Sequence, residues 1–234
     1  MKIKITLLFC LLTYFAQAQL TAAGDIAFVG FNADADDDIA FVTFKEIPAN
    51  STIIFCDSEW NGTSLGTDEG DFTWSSGTTV IPAGTVISIN NISATITPSI
   101  GTITVNNAGG LSSSSDALFA FLGTSPRTVS TMLAAISNSS TGFGDLTNSG
   151  LTIGSTAILL PEGTDMANYN GVKTGLDANG YLSQLNSAAN WQTEDTSDDD
   201  SANATTPDLP FNSTVFTISA NDTSAPTVAI VNVL

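Results

Sequence analysis

The 234-residue sequence predicts an all-β chain, a sandwich or barrel of short strands. Three observations predict it. Thr, Val, Ile and Phe recur in short runs. Gly, Asn, Asp and Pro punctuate those runs. Several runs alternate apolar and polar residues with the period of a strand.

The predicted strands, in order, are residues 25–31, 39–44, 51–57, 70–75, 85–90, 117–122, 156–160 and 213–218. In Ile39-Ala40-Phe41-Val42-Thr43-Phe44 neither face is strongly polar, which marks a central strand. Ile87 and Ile89 alternate with Val86, Ser88 and Asn90, the pattern of a half-exposed strand. The turns Ile47-Pro48-Ala49-Asn50 and Ile81-Pro82-Ala83-Gly84 share one form: Pro presets φ, and Asn or Gly tolerates a left-handed residue. Two segments read as short helices, 130–136 and 181–191, the second on its helical spacing of Tyr181, Leu185 and Ala189. Residues 195–210 are acidic and poor in apolar groups, the composition of a loop.

The amino terminus carries an export signal. Lys2 and Lys4 precede an apolar run over 5–15, and Ala16-Gln17-Ala18 offers a small-x-small cleavage site. The run is shorter than the roughly 20 residues a spanning helix needs. Residues 1–18 are therefore expected to be a signal peptide and 19–220 one domain. Residues 221–234 are expected to hold a linker and the start of a further module. The expected location is secreted or on a bacterial cell surface, with no integral membrane segment after cleavage.

Composition removes several functions. Net charge is −18, and the basic residues after the signal are Lys45, Arg127 and Lys173. Nucleic-acid binding through phosphates needs clustered cations, so no nucleic-acid partner is expected. The absence of histidine removes Ser-His-Asp and Cys-His catalysis and His-ligated zinc. Cys56 is the one cysteine left after cleavage, so no internal disulfide forms, and its run Ile53-Ile54-Phe55-Cys56 reads as buried. Asp57, Glu59, Asp68, Glu69 and Asp71 could pair for glycoside hydrolysis, but they read as solvated strand-end carboxylates.

Two binding features stand out. Asp34, Asp36 and Asp38 alternate within Asn32-Ala33-Asp34-Ala35-Asp36-Asp37-Asp38, giving three oxygen ligands at the spacing of a calcium loop. A structural Ca²⁺ tying the first hairpin is the candidate there, with a solvated acidic turn as the alternative, and a second acidic group follows at Asp195, Asp198, Asp199 and Asp200. Trp60, in the turn Glu59-Trp60-Asn61-Gly62, is the expected carbohydrate platform, whereas Trp74 reads as core.

Read in order, several segments resemble a bacterial lamin-tail-like module, of the type found in secreted and surface proteins of the Bacteroidota. Residues 24–31 and 37–42 look like its first two strands. Trp60-Asn61-Gly62, Phe72-Thr73-Trp74 and residues 81–85 look like its middle. Leu111-Ser112 through Ser115-Asp116-Ala117-Leu118-Phe119 is similar to its LSNSGD segment, with Ser115-Asp116 in place of Gly-Asp. The resemblance implies an immunoglobulin-like antiparallel β-sandwich, with residues 122–210 as a long extension. It also implies a non-catalytic module for adhesion, structural spacing or carbohydrate binding, with extracellular glycans or surface proteins as partners. The alternative is an accessory domain of an extracellular hydrolase, of nuclease or phosphoesterase type, whose catalytic domain lies beyond residue 234.

Overall fold

The computed structural model describes residues 19–125, 127–195 and 206–220. The expected signal peptide, the 221–234 segment and Asp198, Asp199 and Asp200 lie outside the described residues. The chain is an all-β sandwich with one short α-helix. Its first strands are β1 (Ile26–Asn32), β2 (Asp38–Thr43), β3 (Thr52–Cys56), β4 (Trp60–Asn61), β5 (Asp71–Ser75), β6 (Val86–Asn90), β7 (Thr97–Pro98) and β8 (Thr102–Asn107). Then come β9 (Ala117–Ser125), β10 (Thr128–Ser137), β11 (Gly144–Asp145), β12 (Ala157–Leu159), β13 (Met166–Tyr169) and β14 (Thr174–Leu176). Helix α1 (Ala178–Leu185), a 3₁₀ turn (Ala188–Asn190), β15 (Trp191–Glu194) and β16 (Thr217–Ile218) complete the described chain. Among the described residues no helix is long and apolar enough to cross a membrane.

Two six-stranded sheets face each other. One runs β15-β13-β1-β2-β6-β7 and the other β12-β10-β9-β3-β5-β8. All their pairings are antiparallel except β10 with β12. Strands β1 and β2 are buried along their whole length, as the two-sided apolar pattern of 39–44 predicts. Between the sheets Phe28, Phe41, Phe55 and Trp74 meet edge-on or tilted, and Phe72 stacks on Phe55. Each fully buried ring contributes about 1.5–3 kcal/mol relative to exposure.

Both outer faces are also covered. On the second sheet Ile54, Cys56, Phe119, Phe121 and Met132 form a second core, capped by Trp60, Leu65, Phe143 and Leu151. On the first sheet α1 and residues 211–218 lie across Phe44: Tyr181 stacks on it and Phe216 meets it edge-on. Asp177 caps α1, its Oδ1 accepting from the N–H of Gly180.

Three local expectations change. Residues 130–136, read as a helix, belong to β10. Their Met and Ala favour a helix locally, but the segment pairs with β9 and β12 and is buried from Met132 on, and packing overrides propensity there. The second helix ends at Leu185, so Trp191 opens β15. The predicted strand 213–218 shrinks to β16. The long extension supplies β10 and β12 to one sheet and β13 and β15 to the other.

Candidate functional site

One end of the sandwich gathers most of the buried charge. Asp57 follows β3, Asp71 opens β5, and the two segments run together through the Asp57 N–H donating to the Gly70 carbonyl. The loop after β8 folds back over them. Gly70 and Gly109 touch backbone to backbone: a Cβ on Gly70 would lie 2.6 Å from the Gly109 Cα.

Two buried aspartates bond that loop, and a third lies against it. Asp57 lies beside Gly109, its Oδ2 2.9 Å from where a Cβ there would sit. Asp37 Oδ2 accepts from the N–H of Leu111 at 2.8 Å. Asp116 Oδ2 accepts from the N–H of Ser112 at 2.6 Å, and its Oδ1 from Ala117 at 2.7 Å. Asn138 completes the clamp, accepting from Asp116 N–H and donating to the carbonyls of Ser112, Ser113 and Thr164.

Burial pushes these carboxyls up. Asp57 rises to about 8 through burial, then through the neighbouring charges of Asp116 and Glu69. Asp116 rises to about 7 through burial, partly offset by the N–H groups of Ser112 and Ala117. Asp37 rises to about 6, again chiefly through burial, with Leu111 N–H acting against it. Glu69 is raised by burial and then by Glu59 and Asp68. Asp57 Oδ1, Glu69 Oε2 and Asp71 Oδ2 are buried and accept no hydrogen bond from the protein.

Arg127 is the countercharge. It sits in the β9–β10 turn at φ 63° and reaches into the loop between β3 and β5. Its guanidinium donates to Ser58 Oγ at 2.6 Å and to the carbonyls of Gly66 and Glu69, and pairs with Asp71 at 3.0 Å. The other two cations serve elsewhere. Lys45 faces Asp25 at 4.0 Å, and Lys173 donates to the Asn212 carbonyl and lies over the Phe216 ring.

The sequence-predicted sites fare differently. Asp34, Asp36 and Asp38 do not converge. Asp38 is buried and uses both oxygens internally, accepting from Asn32 Nδ2 and Asn91 N–H, while Asp36 is exposed. Among the described residues, the acidic group whose oxygens lie within 4.8 Å of one another is Glu59, Asp68 and Glu69. Such hard oxygen donors suit Ca²⁺ or Mg²⁺. Trp60 offers no open ring face. It is 5% exposed, part of the second core, and its Nε1 donates to the Thr147 carbonyl. The reason is the pairing of β4 with β11, which lays the ring over the outer face of the second sheet. Trp74 is core, as its sequence context predicts.

Sequence reading missed Asp116 and Arg127 as members of one group. The available signal was charge: Asp116 ends the run 72–115, which holds no Asp, Glu, Lys or Arg, and Arg127 is one of three cations beyond residue 18. Searches of protein-family models, curated proteins and solved structures each return no match to this chain.

Proposed function

We propose that the chain is a non-catalytic, exported β-sandwich module of a surface or secreted protein, serving adhesion or structural spacing. One observation carries the reading: among the described residues, the buried aspartates other than Asp57 each bond the chain's own backbone or Arg127. Asp37, Asp38 and Asp116 bind backbone N–H groups, and Arg127 ties together the loop between β3 and β5. Cys56 is fully buried, with its thiol pushed up to about 11 by that burial, so it is a poor nucleophile. With Trp60 buried, adhesion or spacing is favoured over carbohydrate stacking. The purified mature chain is expected to leave nitrophenyl glycosides and phosphodiesters unchanged, and turnover of either would overturn the reading. An accessory role beside a hydrolase domain makes the same demand of this chain.

A structural cation is the second element of the reading, moved from the β1–β2 loop to Glu59, Asp68 and Glu69. It is supported by the buried, unpartnered Oε2 of Glu69 within that group, and by Asp57, whose carboxyl feels the Glu69 charge. Melting is expected to be higher in Ca²⁺ than in EDTA, by about 2.7 kcal/mol at a hundredfold excess over Kd. A Glu59→Gln/Asp68→Asn variant should close the gap. Equal midpoints for the unaltered chain would remove the cation from the proposal.

A further inference from the structure

The two six-stranded sheets end in four edge strands: β15, β7, β12 and β8. Free edges invite pairing with another strand, and proteins blunt them with shortness, charge or proline. β7 has two residues, one of them Pro98. β12 has three residues, and β15 has four and carries Glu194. β8 is uncharged, lacks proline and is not short, and the register shift in its ladder with β5 is confined to its Asn107 end. It runs six residues, Thr-Ile-Thr-Val-Asn-Asn, and all but Ile103 are exposed. Val105 is 49% exposed, although it lies opposite the buried Phe72.

The sequence around β8 is also free of charge. β8 lies within residues 72–115, which contain no ionisable acid or base of the Asp, Glu, Lys or Arg type, in a chain of net charge −18. Two copies of such a chain repel over most approaches and meet with least repulsion here.

We infer that β8 is a self-association edge, on which two copies of this chain pair their β8 strands antiparallel about a twofold axis, Thr104 opposite Thr104. Direction follows from charge. The Asn107 end adjoins the acidic pole, since Asn107 Nδ2 donates to the Glu69 carbonyl. Antiparallel pairing places each pole beside the other copy's uncharged Thr102 end, whereas parallel pairing would bring the two poles together. Register follows from the faces. Directly opposed residues of an antiparallel pair share a face. Ile103 and Val105 lie opposite Trp74 and Phe72 and so face the inter-sheet core, while Thr104 faces outward. Centring on Thr104 sets Ile103 of each copy against Val105 of the other and covers the exposed valine.

Cysteine cross-linking tests the register. Opposed Cα atoms in an antiparallel pair are about 4.5–5.5 Å apart, within disulfide range. Thr104→Cys is expected to give a reducible covalent dimer on mild oxidation. Thr102→Cys should not, because the two cysteines would lie about 14 Å apart along the strands at ~3.4 Å per residue. Cys56 is buried and does not compete. Sedimentation of the unaltered chain should show a monomer–dimer equilibrium that tightens with salt as repulsion is screened. Val105→Lys should weaken it by about tenfold or more, near 1.4 kcal/mol, with an unchanged melting midpoint at dilutions where both chains are monomeric. A monomer at every concentration and salt would overturn the inference and leave the edge to a foreign strand. Equal cross-linking of both cysteines would overturn it as well.

Discussion

The acidic pole and the β8 edge are neighbours in sequence and opposites in chemistry. At the pole, charges are buried: Asp37, Asp57, Asp71 and Asp116 are each under a tenth exposed. Along β8, the polar groups are hydroxyls and amides facing solvent. Burial makes each polar group at the pole a determinant of folding, because removing its partner strands a charge in low dielectric. Exposure makes the edge nearly neutral for folding and available for association. Substitutions at the pole should therefore move stability, and substitutions on the edge should move oligomeric state.

The sharpest way to break this contrast is Arg127→Ala. It removes the ion pair to Asp71 and the donors to Ser58, Gly66 and Glu69. Urea denaturation should show a loss of about 3–5 kcal/mol. Arg127→Lys should recover only part, since a single ammonium cannot reproduce the fork. Next in size is Gly70→Ala, where the added methyl meets the Gly109 backbone. The expected cost is about 1–3 kcal/mol, read as a lower thermal midpoint.

A more gradual effect comes from pH. Asp57, Asp116 and Asp37 hold their protons in the folded chain to about 8, 7 and 6, against 3.8 for the ordinary carboxyl. Folding therefore takes up protons across that window. Their contribution to stability is complete below about pH 4 and is lost as pH rises through the folded values. The melting midpoint should fall between pH 5 and pH 8 in EDTA (the window set by these three groups). Asp57→Asn should flatten that slope, and a slope equal to that of the unaltered chain would remove Asp57 as its source. The smallest effect belongs to the edge. Val105→Lys should change folding free energy by no more than about 0.5 kcal/mol in urea, and a larger loss would erase the distinction between the two regions.

Much of the fold was legible because strand signals are local. The two-sided apolar pattern at 39–44 marks β2 as central, and the Pro-Ala turns precede β3 and β6 where expected. Burial of Cys56 and Trp74 follows from their runs. Strand β10 was not legible, since its Met and Ala carry helical preference and only its place beside β9 decides otherwise. Trp60 sits in a polar turn, and nothing in its neighbours announces that β11 will pair with β4 and cover it.

By itself, the sequence determined the class of fold, the two-sided burial of the central strand, and the lack of histidine and clustered cations. Tertiary structure decided which carboxylates meet. The alternating aspartates of the β1–β2 loop do not come together, while the clamped loop is held by Asp37 from 74 residues away, and Arg127, which bonds Ser58 across 69 residues, pairs with Asp71. The reason is physical. Periodicity and turn residues act over a few positions of chain, whereas the convergence of charges depends on strand pairings between distant segments, and so does their burial.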